Sequence, residues 1–150
     1  YDFHIMLRVD IESMLIDKSL KVADLPIVWN EQIKQYLDLE VPDDSQGVLQ
    51  DIHWSGGQFG TFCNYTIGNV MAAQLMETMK KTNPEIQNDI NQANYEPLLN
   101  WLTSNIHTHG RRYTRNELLE RSTGETLNPL PYINYLKGKA SQVYGVKFND

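Results

Sequence analysis

Apolar residues recur at helical spacing along most of this chain. Phe3, Leu7, Ile11, Met14 and Leu15 fall three or four positions apart, which predicts an amphipathic helix at the start. Phe3, Ile5, Leu7, Val9 and Ile11 also alternate as a strand would, but the length of the run and its lack of turn residues favour the helix. Ser19 to Ala23 reads as a connection, Asp24 as an N-cap with Pro26 in the first turn, and Trp29, Ile33, Tyr36 and Leu37 as the buried face of a second helix. Pro42-Asp43-Asp44 is expected to stop it, and the acidic loop around it reads as a solvated linker.

The segment from Val48 to Trp54 is too short and too mixed for an amphipathic helix. It is expected to be a strand or extended strip, with Leu49, Asp51 and His53 on one side and Gln50 and Ile52 on the other. Beyond it, Ile67, Val70, Met71, Gln74, Leu75 and Met79 form a helical stripe ending in Lys80-Lys81, where cations suit the helix dipole. Pro84, Ile86 and Ile90 suggest a short helix. Asn94 is read as the cap of a further one, with Tyr95, Leu98, Leu99, Leu102 and Ile106 on one face and Gly110 at its end. Thr114 and Glu117 have the spacing of a capping box, opening a helix that Gly124 closes. Asn128-Pro129 opens the last, through Ile133, Leu136, Ala140 and Val143 to Gly145. The reading is a mainly α protein of about six or seven helices in one domain.

Composition narrows the function classes. With 150 residues and 41% hydrophobic content the chain can bury one ordinary core. A net charge of −6 argues against a nucleic-acid partner, since binding phosphates calls for clustered Lys and Arg. The single cysteine, Cys63, permits neither an internal disulfide nor a cysteine-built zinc site, and fits a reducing cytoplasm. No apolar run approaches the length of a membrane span, and no signal-like segment opens the chain. Tyr1 leads at once into the apolar pattern, as in a chain that begins in mid-structure or has been trimmed.

Most candidate chemistry is weak. His107 and His109, two apart, would point to different faces of a helix and read as C-terminal capping groups rather than metal ligands. Arg111-Arg112-Tyr113 offers guanidinium groups for a carboxylate or phosphate, or for anchoring a helix junction. There is no G-x-S-x-G elbow, phosphate loop or H-E-x-x-H, and nothing marks Cys63 with His53 as a nucleophile and base. The cluster Gln50, Asp51, His53 and Trp54 stands apart. A hydrogen-bonded structural histidine beside a tryptophan would explain it, but the glycines that follow, Gly56, Gly57 and Gly60, supply backbone freedom that favours a functional loop.

Gly47, Gln50, Asp51, His53 and Trp54 fill every fixed position of G-x-x-Q-D-x-H-W, a motif of the carboxypeptidase Taq-type metallocarboxypeptidases, which this chain resembles. Further resemblance runs along nearly the whole chain. It includes His4-Ile5-Met6-Leu7-Arg8, Leu25-Pro26, Trp29-Asn30, Tyr65, Gly68-Asn69, Ala72-Ala73-Gln74, Ile106-His107, His109-Gly110-Arg111 and Tyr113-Thr114.

The resemblance implies a zinc-dependent exopeptidase that removes single residues from peptide C-termini. The implied fold is a zincin-like helical one with a groove and a small sheet at the active site, and the implied assembly is a homodimer. The zinc ligands and general base of the family lie in and after an H-E-x-x-H segment that would precede Tyr1, so the chain is expected to be the C-terminal part of such an enzyme, binding no zinc alone. The resemblance makes His53 and Tyr65 the catalytic hydrogen-bond donors, with Gln50 and Asp51 orienting the histidine or touching the peptide. Arg111 is the further substrate-binding candidate. Thr61 and Cys63 depart from the family pattern, which carries a tyrosine and a proline in this segment. The competing reading is a truncated, non-catalytic helical module for peptide binding or dimerisation.

Overall fold

The computed structural model describes residues 1–148, which form two compact units, the first of residues 1–67 and the second beginning at Gly68. Every regular element among the described residues is helical.

The first unit is built on a pair of helices, α1 (Asp2–Ile16) and α2 (Leu25–Leu37). The spacing that predicts them also packs them, because Leu7, Ile11, Leu20, Trp29, Ile33 and Val48 make one buried cluster. Tyr36 Oη donates to Asp10 Oδ2 at 2.6 Å across the pair. Two sequence expectations fail at the ends of α2. Asp24 occupies the N-cap position but its side chain caps nothing; its backbone is already αR, closing the 3-10 turn Val22–Asp24. At the other end α2 stops at Leu37, ahead of Pro42, because Asp38 adopts a left-handed conformation at φ 54°. In the acidic loop, Lys34 pairs with Asp38 at 2.8 Å and Glu40 at 2.9 Å, while Asp43 accepts from Gln46 N and caps the 3-10 turn Asp44–Gln46.

The expected extended strip does not form. Val48–Gln50 is a third 3-10 turn, and Ile52–Ser55 is a single α-helical turn, α3. The backbone closes on itself there: Gln50 N donates to Gly47 O and Asp51 N to Val48 O. Asp51 then caps α3, so residues 52–55 follow helical rather than alternating directions. Leu49 and Ile52, the apolar members of the alternation, are 71% and 78% exposed and mark no buried face. Gly47 is required by a close approach, since a Cβ at this position would lie 2.6 Å from Val41 Cγ1.

Helix α4 (Cys63–Thr82) opens in the first unit and runs on into the second, four residues ahead of the predicted stripe. In the second unit it is followed by α5 (Ile86–Asn91), α6 (Glu96–Asn105), α7 (Arg115–Thr123) and α8 (Leu130–Tyr144). The Thr114–Glu117 capping box is present in both directions, and Gly124 and Gly145 close α7 and α8 in left-handed conformations. The predicted cap of α6 is not made: Asn94 Nδ2 donates to Asp89 Oδ1 instead, and the N-cap residue is Tyr95. The helix ends at Asn105, ahead of a 3-10 turn, His107–His109.

Gln74 lies in the apolar stripe of α4 yet is 1% exposed and fully bonded. Its Nε2 donates to Thr123 Oγ1 at 3.2 Å and Thr126 O at 2.9 Å, and its Oε1 accepts from Asn128 N at 3.0 Å. One amide thus ties α4 to the connection between α7 and α8. Gln74→Leu is expected to destabilise by about 1–3 kcal/mol, because it strands the Asn128 amide and the Thr126 carbonyl. Thr114→Ala, which removes an exposed cap, should cost about 1 kcal/mol, so denaturant midpoints of the two variants rank the buried amide above the cap.

Candidate active site

Three charged side chains are buried in the first unit: Arg8 at 6%, Glu12 at 5% and Asp51 at 5% exposure. A buried charge is tolerated only when paired and hydrogen-bonded, and each of these is bonded across the chain. Arg8 Nε donates to Asp51 Oδ2 at 2.6 Å, and another guanidinium nitrogen donates to His4 O at 2.8 Å. The guanidinium carbon lies 4.6 Å from the Trp29 ring centre and 5.4 Å from that of Phe62, so aromatic faces cover the rest of the charge. The other oxygen of Asp51 accepts from His53 N at 2.9 Å and Trp54 N at 3.1 Å. A single carboxylate therefore pairs with α1 and caps α3.

His53 stands on α3 with its side chain 25% exposed. Its ring lies 4.7 Å from the centre of Phe62, and its Nε2 is 3.2 Å from Tyr65 Oη, on the first turn of α4. Nδ1 is 3.6 Å from Asp51 Oδ1, too far for a hydrogen bond, so Asp51 orients the histidine through its backbone amide rather than its ring. In a neutral imidazole one nitrogen carries the hydrogen. With that hydrogen on Nε2 the imidazole donates to Tyr65 Oη, leaving the phenol hydrogen to point outward; with it on Nδ1 the phenol donates to the ring.

The structure thus brings His53, Tyr65 and Asp51 together. Gln50 is exposed beside them, in the 3-10 turn before Asp51. Arg111 belongs to the second unit, where it is exposed in the segment leading to α7. Nearby, His109 packs on the Tyr113 ring at 5.4 Å, and Arg121 covers that ring at 4.2 Å. Cys63 Sγ lies 3.7 Å from Gly60 O, and the His53 imidazole is engaged with Tyr65 instead. Among the described residues no group of three or more His, Cys, Asp and Glu side chains could hold a metal. No helix among them is long and apolar enough to cross a membrane.

Sequence reasoning passed over Arg8 and Glu12 as parts of this site. The available signal was positional: the two are one helical turn apart and interleave with Leu7 and Ile11, on the side of α1 that must be buried.

Residues 1–140 match the family model of the carboxypeptidase Taq (M32) metallopeptidases. The chain belongs to this family. It is 38% identical over 144 residues to carboxypeptidase 1 of Bacillus subtilis, covering 96% of this chain and 29% of that protein. It is 36% identical over 139 residues to thermostable carboxypeptidase 1 of Pyrococcus furiosus, covering 93% of this chain and 28% of that protein. Among solved structures, the M32 carboxypeptidase of Deinococcus radiodurans superposes with a TM-score of 0.92 at 40% identity, covering 97% of this chain and 30% of the other. The chain spans less than a third of the length of the carboxypeptidase Taq relatives it matches.

The pairing at the base of this site makes a stability prediction. Asp51→Asn keeps an oxygen for capping α3 but sets an amide N–H against Arg8 Nε, and should cost about 3–5 kcal/mol in equilibrium unfolding, as for a broken buried pair. A second prediction concerns pH. Burial, followed by the charge of Arg8, holds the pKa of His4 below its ordinary value, and its Nδ1 is buried without a hydrogen-bond partner among the described residues. The unfolded chain then binds the proton more readily than the native one, so this contribution to stability is present above about pH 6.5 and lost as pH falls below it. His4→Phe should flatten that part of the stability profile, measured as the denaturant midpoint at pH 7.5 and 5.5.

Proposed function

We propose that this chain is the C-terminal part of a zinc-dependent carboxypeptidase that releases single residues from peptide C-termini. Its contribution is a pair of hydrogen-bond donors, His53 and Tyr65. The observation that carries this reading is the 3.2 Å contact between His53 Nε2 and Tyr65 Oη, exposed at one edge and seated on a buried ion pair. Amide hydrolysis builds negative charge on the carbonyl oxygen, and preorganised donors stabilise that charge. With the imidazole donating to the phenol oxygen, the phenol hydrogen is polarised and directed outward, where a peptide carbonyl can accept it. Gln50, exposed one residue before Asp51, is suited to the peptide backbone.

The family name requires a metal, and the described residues offer no ligand set for one. In this reading zinc and its ligands belong to residues outside the chain. The donor pair acts on the substrate and not on the metal.

In the complete polypeptide, His53→Ala and Tyr65→Phe should each lower kcat about 10²- to 10³-fold, with zinc content unchanged. A parallel loss of zinc would make His53 a ligand or a structural prop. This chain alone, supplied with zinc, should release no amino acid from a blocked dipeptide. Release that a chelator abolishes would overturn the assignment of the ligands to residues outside it.

A further inference from the structure

The glycine-rich loop between the two donors is held at both ends by one side chain. Glu12 Oε1 accepts from Trp54 Nε1 at 3.1 Å, and Glu12 Oε2 accepts from Gly60 N at 3.0 Å. Between these two points Ser55, Gly56, Gly57, Gln58 and Phe59 are all exposed. Trp54 directly follows His53, and Gly60 stands three residues before α4, whose first turn carries Tyr65. Gly60 has φ 73°, a left-handed conformation that only glycine adopts freely. The two oxygens of one carboxylate therefore link, through short and locally bonded segments, the two donor-bearing helices.

Glu12 is also an expensive residue to keep at 5% exposure. No ion pair neutralises it among the described residues, and its charge is met by the two N–H donors. For packing alone an apolar side chain would serve at lower cost. Resting on the donor-pair reading above, we propose that Glu12 is a positioning residue for catalysis: its carboxylate holds both ends of the Trp54–Gly60 loop and so sets the register in which His53 and Tyr65 meet.

The test uses the complete, zinc-loaded enzyme. Glu12→Gln leaves an oxygen for one donor and turns an amide N–H toward the other. It should lower kcat about tenfold to 10²-fold, with KM and zinc content unchanged, and should speed hydrogen exchange in the peptide containing Gly60. In a Tyr65→Phe background the same substitution should have a much smaller effect on kcat, because the contact between His53 and Tyr65 that it disturbs is already lost. Trp54→Phe, which deletes one of the two bonds, should show the same non-additivity, and carries the cycle if Glu12→Gln does not fold. Fully multiplicative losses would overturn the positioning role, as would unchanged kcat with faster loop exchange. If His53→Ala and Tyr65→Phe themselves leave kcat unchanged, the donor-pair reading falls and this proposal with it. If they lower kcat while the double variants multiply, only the role of Glu12 falls.

Discussion

The contact between Arg8 and Asp51 is the constraint on which the first unit depends. Each partner is nearly inaccessible to water, so neither can be left alone without the full desolvation cost of a buried ion. The pair itself, measured against apolar residues of similar size, gains little stability; what it gives is geometry. One carboxylate has four bonding directions, and here they join α1 to the amides that begin α3. A helix of four residues has no stability of its own. It exists where Asp51 caps it and Trp54 packs edge-on against Trp29 and Phe62. The floor of the candidate site and the edge of the hydrophobic core are therefore the same residues.

That coupling explains what could and could not be read from sequence. Helix positions followed from apolar spacing, because a stripe that can lie against a core repeats with the helical period. The Thr114–Glu117 box and the closing glycines at 124 and 145 followed because capping is local. Asp24 and Asn94 have the residue types of caps, yet a neighbouring 3-10 turn takes the backbone of one and Asp89 takes the side chain of the other. The stretch 48–54 was misread because its alternation does not show what holds it: the carbonyls of Gly47 and Val48 close the backbone, and Asp51, which caps α3, is bonded by Arg8 from 43 residues away in sequence. Gln74 was placed correctly in the stripe of α4, but its three partners could not be read, because folding brings them from 49 to 54 residues away. Periodicity also identifies an apolar face without saying what covers it. On α8, Ile133, Leu136 and Val143 keep the predicted spacing but are 40%, 41% and 61% exposed.

The site was legible as a cluster and not as a geometry. His53 and Tyr65 fall in one short stretch, but a turn of α3, a glycine loop and the start of α4 intervene. Their side chains meet across a loop that returns on itself, with Gln58 N donating to His53 O at 2.8 Å and Gly57 N to Trp54 O at 3.0 Å. The supporting residues lie on α1, where charge in a helical stripe reads by default as a solvated face. Burial reverses that reading, and burial is a property of the fold.

Thr61 and Cys63, where the resemblance led one to expect a tyrosine and a proline, have different consequences. Cys63 is the first residue of α4, a position whose amide lacks an intrahelical partner, so a proline there would fix φ without losing a helical bond. Its replacement forfeits mainly the entropic advantage of a stiffer unfolded chain, about 0.4–1 kcal/mol. The turn does not depend on that stiffness, because Gly60 N is held by Glu12, and Asn64 N and Tyr65 N close on Thr61 O and Phe62 O at 3.1 Å each. Thr61 is the weightier change. Its hydroxyl is buried without a partner among the described residues, an arrangement that costs about 1–3 kcal/mol, and it supplies no phenol. The phenol in contact with the His53 imidazole is that of Tyr65, one helical turn further along. If a phenol next to this histidine is what the chemistry needs, the requirement is met from α4 rather than from the loop, and its placement then depends on how firmly the loop's far end is held at Gly60.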